Sequence, residues 1–525
     1  MEVELKLLLA PEHNQQLRQH PLLAGLATRT QPLLAHYFDT PDLHLLRHGA
    51  GLRVRKEDGV WMQTMKAGGS VQNGLHQRNE WEGPVSRPWP QLGKLRKLIG
   101  DDAHWRDVLA APHFKQRLEA LFAVVVEREI WQLDYAGSQI ELVLDCGHIE
   151  RHGQQLPLNE IELELRQGKP EHLFALALQL LERLPLQLSN VNKAQRGYSL
   201  CRQTGTQAHH ARALALPADA TLDAARHAIL FNCLQQVQDN EQAVIHSDHA
   251  EALHQMRVGV RRLRSALKLF RSVAPCPPQL KEDWRWLAQV LGKARDWEVL
   301  GSATLARVQA SPGGPAGLHD LPALVQQQVA AHRQQAAQAL RSPRYTRLLL
   351  QMGHWLLAGA ASSSAAAMQA DGTRIDAAQG EATHGTGEEA GTSAAEFSRH
   401  TMQRLRKTLL KRARGMNDTD AASIHRTRIA AKQSRYTLEF FHTLYRGKAL
   451  RKYLATLEAT QEALGQHNDL VVADRLLQQL GSEHPAATPA ARHIAFARGY
   501  LRALQEQQPT DLQAVQAGLR ELPRF

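Results

Sequence analysis

The chain has 525 residues, 43% hydrophobic and 22% charged, with a net charge of +11. That length exceeds one ordinary domain, and no apolar run reaches the roughly 18–20 residues of a membrane span. Four scattered cysteines (Cys146, Cys201, Cys233, Cys276) with no C-x-x-C argue against a disulfide framework or zinc site and suit a reducing cytosol.

The first strand is expected in MEVELKLLL. Glu2, Glu4 and Lys6 alternate with Val3, Leu5 and Leu7, so in a strand all three charges leave one face. Acidic residues at strand spacing do not suit a signal peptide. Alone, such a strand is ordinarily half-buried with a solvated charged face.

Further strands are expected in GLRVRKE, VWMQTMK, QRNEWEG, AVVVEREIWQL, SQIELVLDCG and LNEIELELR, with breaks at EDG, AGGS and DCGHIERHG. They repeat the opening pattern. Arg53 and Arg55 share a face, as do Thr64 and Lys66. So do Arg78, Glu80 and Glu82, and then Glu160, Glu162 and Glu164. Glu141 and Asp145 are four apart, and Arg128 alternates with Val124 and Val126. Several strands with charges of both signs at period two point to one shared polar surface. A closed antiparallel barrel would turn that surface inward. Arg and Lys there attract phosphate oxygens. Carboxylates beside them repel phosphate unless a hard divalent cation neutralises them. The mixture points to metal-assisted chemistry on a polyphosphate. Lys169–Glu182, ending before Pro185, reads as a helix.

The combined set resembles the CYTH domain, the triphosphate tunnel metalloenzyme family. It comprises E-x-E-x-K (Glu2, Glu4, Lys6), YFDTPD at Tyr37–Asp42, LRHGAGLRVR at Leu46–Arg55 and WMQTMK at Trp61–Lys66. RNEWE, ELVLD, EIELEL and NKAQRGY at Asn192–Tyr198 come next, in order. The resemblance implies an eight-stranded antiparallel tunnel that hydrolyses or cyclises triphosphates with Mg²⁺ or Mn²⁺. It implies Glu2, Glu4, Asp145, Glu160 and Glu162 as metal ligands, with the choice among Glu160, Glu162 and Glu164 open. It implies Lys6, Arg53, Arg55, Lys66, Arg128, Lys193 and Arg196 as triphosphate-binding residues, and Glu2, Glu4 and Lys6 as the catalytic set. Arg78 and Glu80 are weaker candidates, and Tyr37, Asp39 and Pro41 are read as shaping a turn.

All of the surplus charge lies beyond residue 203. Residues 1–203 hold 24 basic and 24 acidic side chains, whereas residues 204–525 hold 39 and 28. Such a field favours polyanions. A polar, Ala-rich linker is expected at 204–218. Helical periodicity then runs to the end, except across an Ala/Gly/Ser/Thr-rich insert at 358–396 that is expected to be disordered.

The insert separates two copies of one unit, about 219–355 and 397–525. HQMRVGVRRLRSALKLF (His254–Phe270) and HRTRIAAKQSRYTLEFF (His425–Phe441) share H-x-x-R-(V/I)-x-x-(R/K)-x-x-R. Downstream of each is L-G-x-x-x-D, at Leu291–Asp296 and Leu464–Asp469, 37 and 39 residues from its histidine. Matching order and spacing indicate a duplication. His254, Arg257, Arg261, Arg264 and Lys268 form one helical stripe, beside Val260, Leu263, Leu267 and Phe270 facing the core. In the second copy His425, Arg428, Lys432 and Arg435 form the stripe, while Ile429, Tyr436 and Phe440 face inward. Like charges on one face repel unless an anion is bound. The segment RLRKTLLKRARG (Arg404–Gly415) adds to them.

This half resembles the CHAD domain, a duplicated helical bundle. That resemblance implies inorganic polyphosphate binding through the basic stripe, with His254 and His425 bonding phosphate or metal. The expected fold is therefore α+β: an eight-stranded antiparallel tunnel with flanking helices over 1–203, then an all-α duplicated bundle over 219–525. The expected activity is metal-dependent hydrolysis of inorganic triphosphate to pyrophosphate and phosphate. Hydrolysis or cyclisation of thiamine triphosphate or ATP is the alternative reaction, and a non-catalytic polyphosphate scaffold the alternative class. The expected location is the cytoplasm, at polyphosphate granules; no membrane span and no nucleic-acid motif is expected.

Overall fold

A computed structural model describes residues 2–57, 59–201, 207–311, 320–370, 393–417, 420–445, 447–485, 488–507 and 512–524. The chain forms two compact units, Met1–Gly205 with Arg341–Ala358, and Thr206–Leu340 with Gly359–Phe525.

In the first unit, eight strands close into a ring. They are β1 (Glu2–Leu8), β2 (Thr28–Asp39), β3 (Ala50–Glu57), β4 (Val60–Gln72), β5 (Leu75–Val85), β6 (Glu119–Tyr135), β7 (Ser138–Arg151) and β8 (Gln154–Gln167). Their order is β5-β4-β3-β2-β6-β7-β8-β1, and β1 pairs back onto β5 with Glu2 opposite Arg78. All neighbours are antiparallel. The short β9 (Gln187–Leu188) pairs with the far end of β1. Closure gives every strand of the ring a partner on both sides over part of its length.

The inward faces are the charged ones, because the alternate apolar residues pack outside. Leu5, Leu7, Leu52, Val54, Met65 and Leu163 are fully buried. Two helices, Leu92–Ile99 and Ala103–Ala110, cover β3 and β4 with Leu95, Ile99, Trp105 and Leu109. A third helix, Glu171–Leu181, buries Leu173, Phe174, Leu176 and Leu180.

Strand β2 is absent from the sequence reading because Pro32 interrupts it. Proline cannot donate to a ladder and is tolerated where a strand has a free side. Strand β3 pairs with β2 only over Ala35–Phe38, so at Pro32 the one partner is β6. The AGGS stretch is a bulge inside β4 rather than a break, with Gly68 and Gly69 at φ +63° and +80°. The turn falls later, at Asn73-Gly74, both with positive φ.

Residues 341–358, read from sequence into the first helical repeat, instead pack in this unit. Asn73 Nδ2 donates to the Leu349 carbonyl at 2.6 Å, and Thr346 Oγ1 donates to that of Leu186 at 2.8 Å. Gly353 lies so close to Phe174 that a Cβ would stand 2.3 Å from its ring.

The second unit is helical. Helix Ala250–Leu269 packs against Leu222–Asp239 and Pro278–Val299. Helix Ala421–Phe440 packs in the same way against Ala394–Arg414 and Lys448–Ser482. This is the duplication seen in the sequence. The apolar stripe of the first copy is buried throughout, but Ile429 of the second is 44% exposed. The expected disordered insert is shorter than it reads, since helix Pro343–Ala370 runs into it and helix Ala394–Arg414 begins within it. Its remainder, 371–392, lies outside the described residues, as do 204–206 of the expected linker. Among the described residues no helix is long and apolar enough to cross a membrane.

Candidate active site and basic pocket

The ring encloses a cavity of about 420 Å³, within the usual range for small-ligand sites of roughly 300–1,000 Å³. Nine basic side chains and seven carboxylates line it. Of the sequence-predicted residues, Glu2, Glu4, Lys6, Arg53, Arg55, Lys66, Arg128, Glu162 and Lys193 face it, with Arg78, Glu80 and Glu164.

At one end the carboxylates of Asp145, Glu160 and Glu162 converge within 4.8 Å and are buried. Asp145 and Glu160 do not face the cavity. The Lys193 ammonium lies among the three, at 2.7, 2.5 and 2.9 Å. Its helix, Lys193–Ser199, starts from a capping box in which Asn192 Oδ1 accepts from Gln195 N and Asn192 N donates to Gln195 Oε1. Gly197 lets this helix sit flat on Phe122, where a Cβ would come within 2.1 Å of the ring. Tyr198 Oη donates to Asp39 Oδ2 at 3.1 Å. Asp39 also accepts from the backbone of Thr40, Leu45 and Leu46, the turn role read from its motif.

Lys6 pairs with Glu162 and lies 2.9 Å from Glu4, while Arg128 grips Asp145 with two bonds. Burial works against charge on these groups, yet Lys193, Lys6 and Arg128 hold the Glu162 carboxyl well below its usual range. Lys193 is raised well above its own, against burial, by Asp145, Glu160 and Glu162.

The other end differs. Glu4 stands directly across from Glu164 on β8, and Glu2 lies two residues from Glu4 on the same face. Lys66 pairs with Glu2. Burial, with Glu2, Glu141 and Glu4 close by, pushes the Glu164 carboxyl up to about 7 despite Arg166. Each of these carboxylates has a basic neighbour, Lys66 at Glu2, Lys6 at Glu4 and Arg166 at Glu164, and the oxygen-only group from two neighbouring strands fits a hard divalent cation. Arg196, expected to bind substrate, is not among the cavity residues. Its Nη2 donates to the Pro157 carbonyl at 2.6 Å and its Nη1 lies 3.5 Å from Glu160.

In the second unit the two duplicated stripes face one pocket. His254, Arg257 and Arg261 line it from one copy, and His425, Arg428, Lys432 and Arg435 from the other. Arg264 and Lys268 do not; Lys268 reaches Gln433 instead. Lys407, Lys411, Arg412 and Arg426 line a separate cavity. The sequence reading missed Arg295, Arg475, Asn468 and Gln461 as lining residues and gave Asp296 and Asp469 no role; Tyr436, read as facing inward, is buried as expected and also lines the pocket. His254 Nδ1, Arg261 Nε, Arg428 Nε and Tyr436 Oη are buried without a hydrogen-bond partner in the protein. Burial, with Arg261, Arg428 and Arg257 nearby, lowers Lys432 to about 7. Burial, then Arg295, lowers His254 to about 4, so its ring is neutral at pH 7.

A charged-lumen ring of eight antiparallel strands and a duplicated helical unit with a basic pocket define a two-domain class, a closed charged tunnel followed by a helical bundle. The chain carries a CYTH domain over residues 1–198 and then a CHAD domain over residues 228–478. It is 31% identical over 205 residues to an inorganic triphosphatase of Haemophilus influenzae, a match covering 38% of this chain. The chain thus spans about half, 54%, of that curated relative. The crystal structure of the CHAD domain from the plant Ricinus communis is 53% identical, covering 61% of this chain and 99% of its own, at a TM-score of 0.53. A Hippeastrum protein described as an adenylyl cyclase with a dominant triphosphatase activity aligns over 38% of this chain and 96% of its own, at 20% identity and TM-score 0.29.

Proposed function

We propose that the first domain is a Mg²⁺- or Mn²⁺-dependent triphosphatase that splits inorganic triphosphate into pyrophosphate and phosphate, and that the helical domain binds inorganic polyphosphate. The carrying observation is the lumen's near balance of nine cations against seven carboxylates. A bare anion meets the carboxylates and a bare cation meets the ammonium and guanidinium groups; a metal–polyphosphate complex satisfies both. The lumen's apolar side chains are few, Tyr37, Ile130 and Ala194, which leaves little surface for a nucleobase and favours an inorganic substrate.

On binding, each side exchanges partners. Lys6, Arg53, Arg55 and Lys66 leave carboxylates for phosphate oxygens, where their charge, with that of Arg128, stabilises the transferring group and the leaving phosphate. Glu2, Glu4 and Glu164 would hold the metal, which when bound polarises the scissile phosphoryl group and activates a water. Asp145, Glu160 and Glu162 hold Lys193 and Arg128 on the lumen wall and so act as positioning residues.

For the pocket, the support is its surplus of cations and its buried donors without partners, which suit an acceptor-rich chain. Both halves suit a cytoplasmic protein that gathers at polyphosphate granules. The test is phosphate release from tripolyphosphate by the purified chain with Mg²⁺ or Mn²⁺, run beside ATP and thiamine triphosphate. No release from tripolyphosphate, or an unchanged rate in Glu4→Gln, overturns the first half. Absence of polyphosphate binding in calorimetry overturns the second.

A further inference from the structure

The repeated L-G-x-x-x-D motif has a consequence in the basic pocket. Leu291 and Leu464 are fully buried anchors of their helices, and five residues on, Asp296 and Asp469 emerge at the pocket wall. They are the two carboxylates among seven Arg and Lys side chains there. A site built only to attract polyanions gains nothing from carboxylates, yet each copy of the repeat supplies one at the same motif position.

Their neighbours indicate what they do. Asp296 Oδ1 lies 3.7 Å from Arg257 Nη2, one of the stripe guanidiniums. Asp469 acts on Arg428, the matching residue of the other stripe, favouring its charged form. Arg257 and Arg428 are each burdened by burial and by the neighbouring Arg261. Close like charges in a half-buried site destabilise the compact state.

We propose that Asp296 and Asp469 are built-in counter-anions of the pocket: they occupy Arg257 and Arg428 when no ligand is bound, and a phosphate polyanion must displace them. The inference rests on the polyphosphate reading. The acids keep an empty pocket from repelling itself and lower its affinity, so binding stays reversible. They also discriminate between ligands, since a weak anion gains little by displacing them.

The test is Asp296→Asn, Asp469→Asn and the double variant in the full chain, titrated with long-chain polyphosphate at two salt concentrations. Each single variant binds up to about fivefold tighter at low salt, since a partly exposed ion pair is worth up to about 1 kcal/mol. The gain shrinks at high salt. Without ligand, the double variant melts at a lower temperature than the parent, because its arginines are left uncompensated. Variants that bind equally or more weakly, while the parent binds, overturn the counter-anion role and leave the polyphosphate reading standing. Weakening that appears with Mg²⁺ and vanishes with chelator assigns the acids to a bridging cation and likewise overturns it. A parent that binds no polyphosphate overturns both.

Discussion

Arg128 and Asp145 stand directly opposite one another on β6 and β7 and are joined by two hydrogen bonds, 2.8 Å from Nε and 2.7 Å from Nη2. Asp145 is fully buried. Removing one member of such a pair strands the other charge in a poorly solvated place. Asp145→Ala is expected to cost about 3–5 kcal/mol in denaturant unfolding of the full chain. A loss under about 0.5 kcal/mol would show that the pair is dispensable.

The carboxylate group of the lumen and the buried group behind its wall separate in a metal titration. Glu4→Gln and Glu164→Gln should raise the Mg²⁺ or Mn²⁺ concentration giving half-maximal phosphate release by about 10–100-fold, the scale on which site mutations cost metal affinity. Glu160→Gln, whose carboxylate is held by Lys193, should lower stability and leave that midpoint in place. A shifted midpoint in Glu160→Gln alone would move the metal to the buried end.

Lys432 gives the helical domain a pH signature. Its ammonium is lowered from an ordinary 10.5 to about 7, by burial first and then by Arg261, Arg428 and Arg257, with Asp469 opposing. Between about pH 7 and 10.5 the unfolded chain therefore carries a proton there that the folded chain lacks. This group's contribution to stability rises with pH across that window. A bound polyanion restores the charge, so polyphosphate binding above pH 7 takes up close to one proton. Calorimetry in two buffers of different ionisation enthalpy reads that uptake. Lys432→Arg, charged at every pH, should abolish it; persistence of the uptake would assign it elsewhere.

The seat of the Lys193 helix is tested at Gly197. A methyl there must push into Phe122, and overpacking of this kind costs about 1–3 kcal/mol. Gly197→Ala should also slow triphosphate hydrolysis by displacing Lys193, with a larger effect on KM than on kcat. Wild-type kinetics in this variant would disconnect the helix from the substrate.

The period-two charges made the tunnel legible, because a strand has two faces and the other face was apolar. What they could not show was pairing within the lumen. Asp145, Glu160 and Glu162 read as metal ligands and do converge closely enough to hold a metal, but the sequence could not show that Lys193 lies among them. The helical stripe was legible in angle and not in length. Lys268 shares the face of His254 but lies 14 residues on, about 21 Å along the axis, beyond the pocket. Asp296 and Asp469 were visible as a repeat, but a motif's spacing does not say which way its last residue points. Strand β2 was hidden by Pro32, which is tolerated because β3 has not yet joined at that position.

The segment Arg341–Ala358 belongs to the first unit though the strands it completes end near residue 188. During synthesis the ring can therefore emerge whole and still lack the helix that accepts from Asn73 and covers Phe174. Domains commonly fold in order as the chain lengthens. Here the first unit has to wait for more than 130 further residues before its last piece is made. A ribosome stalled before residue 358 would hold a tunnel with one flank bare, and truncation after residue 205 would make that state permanent.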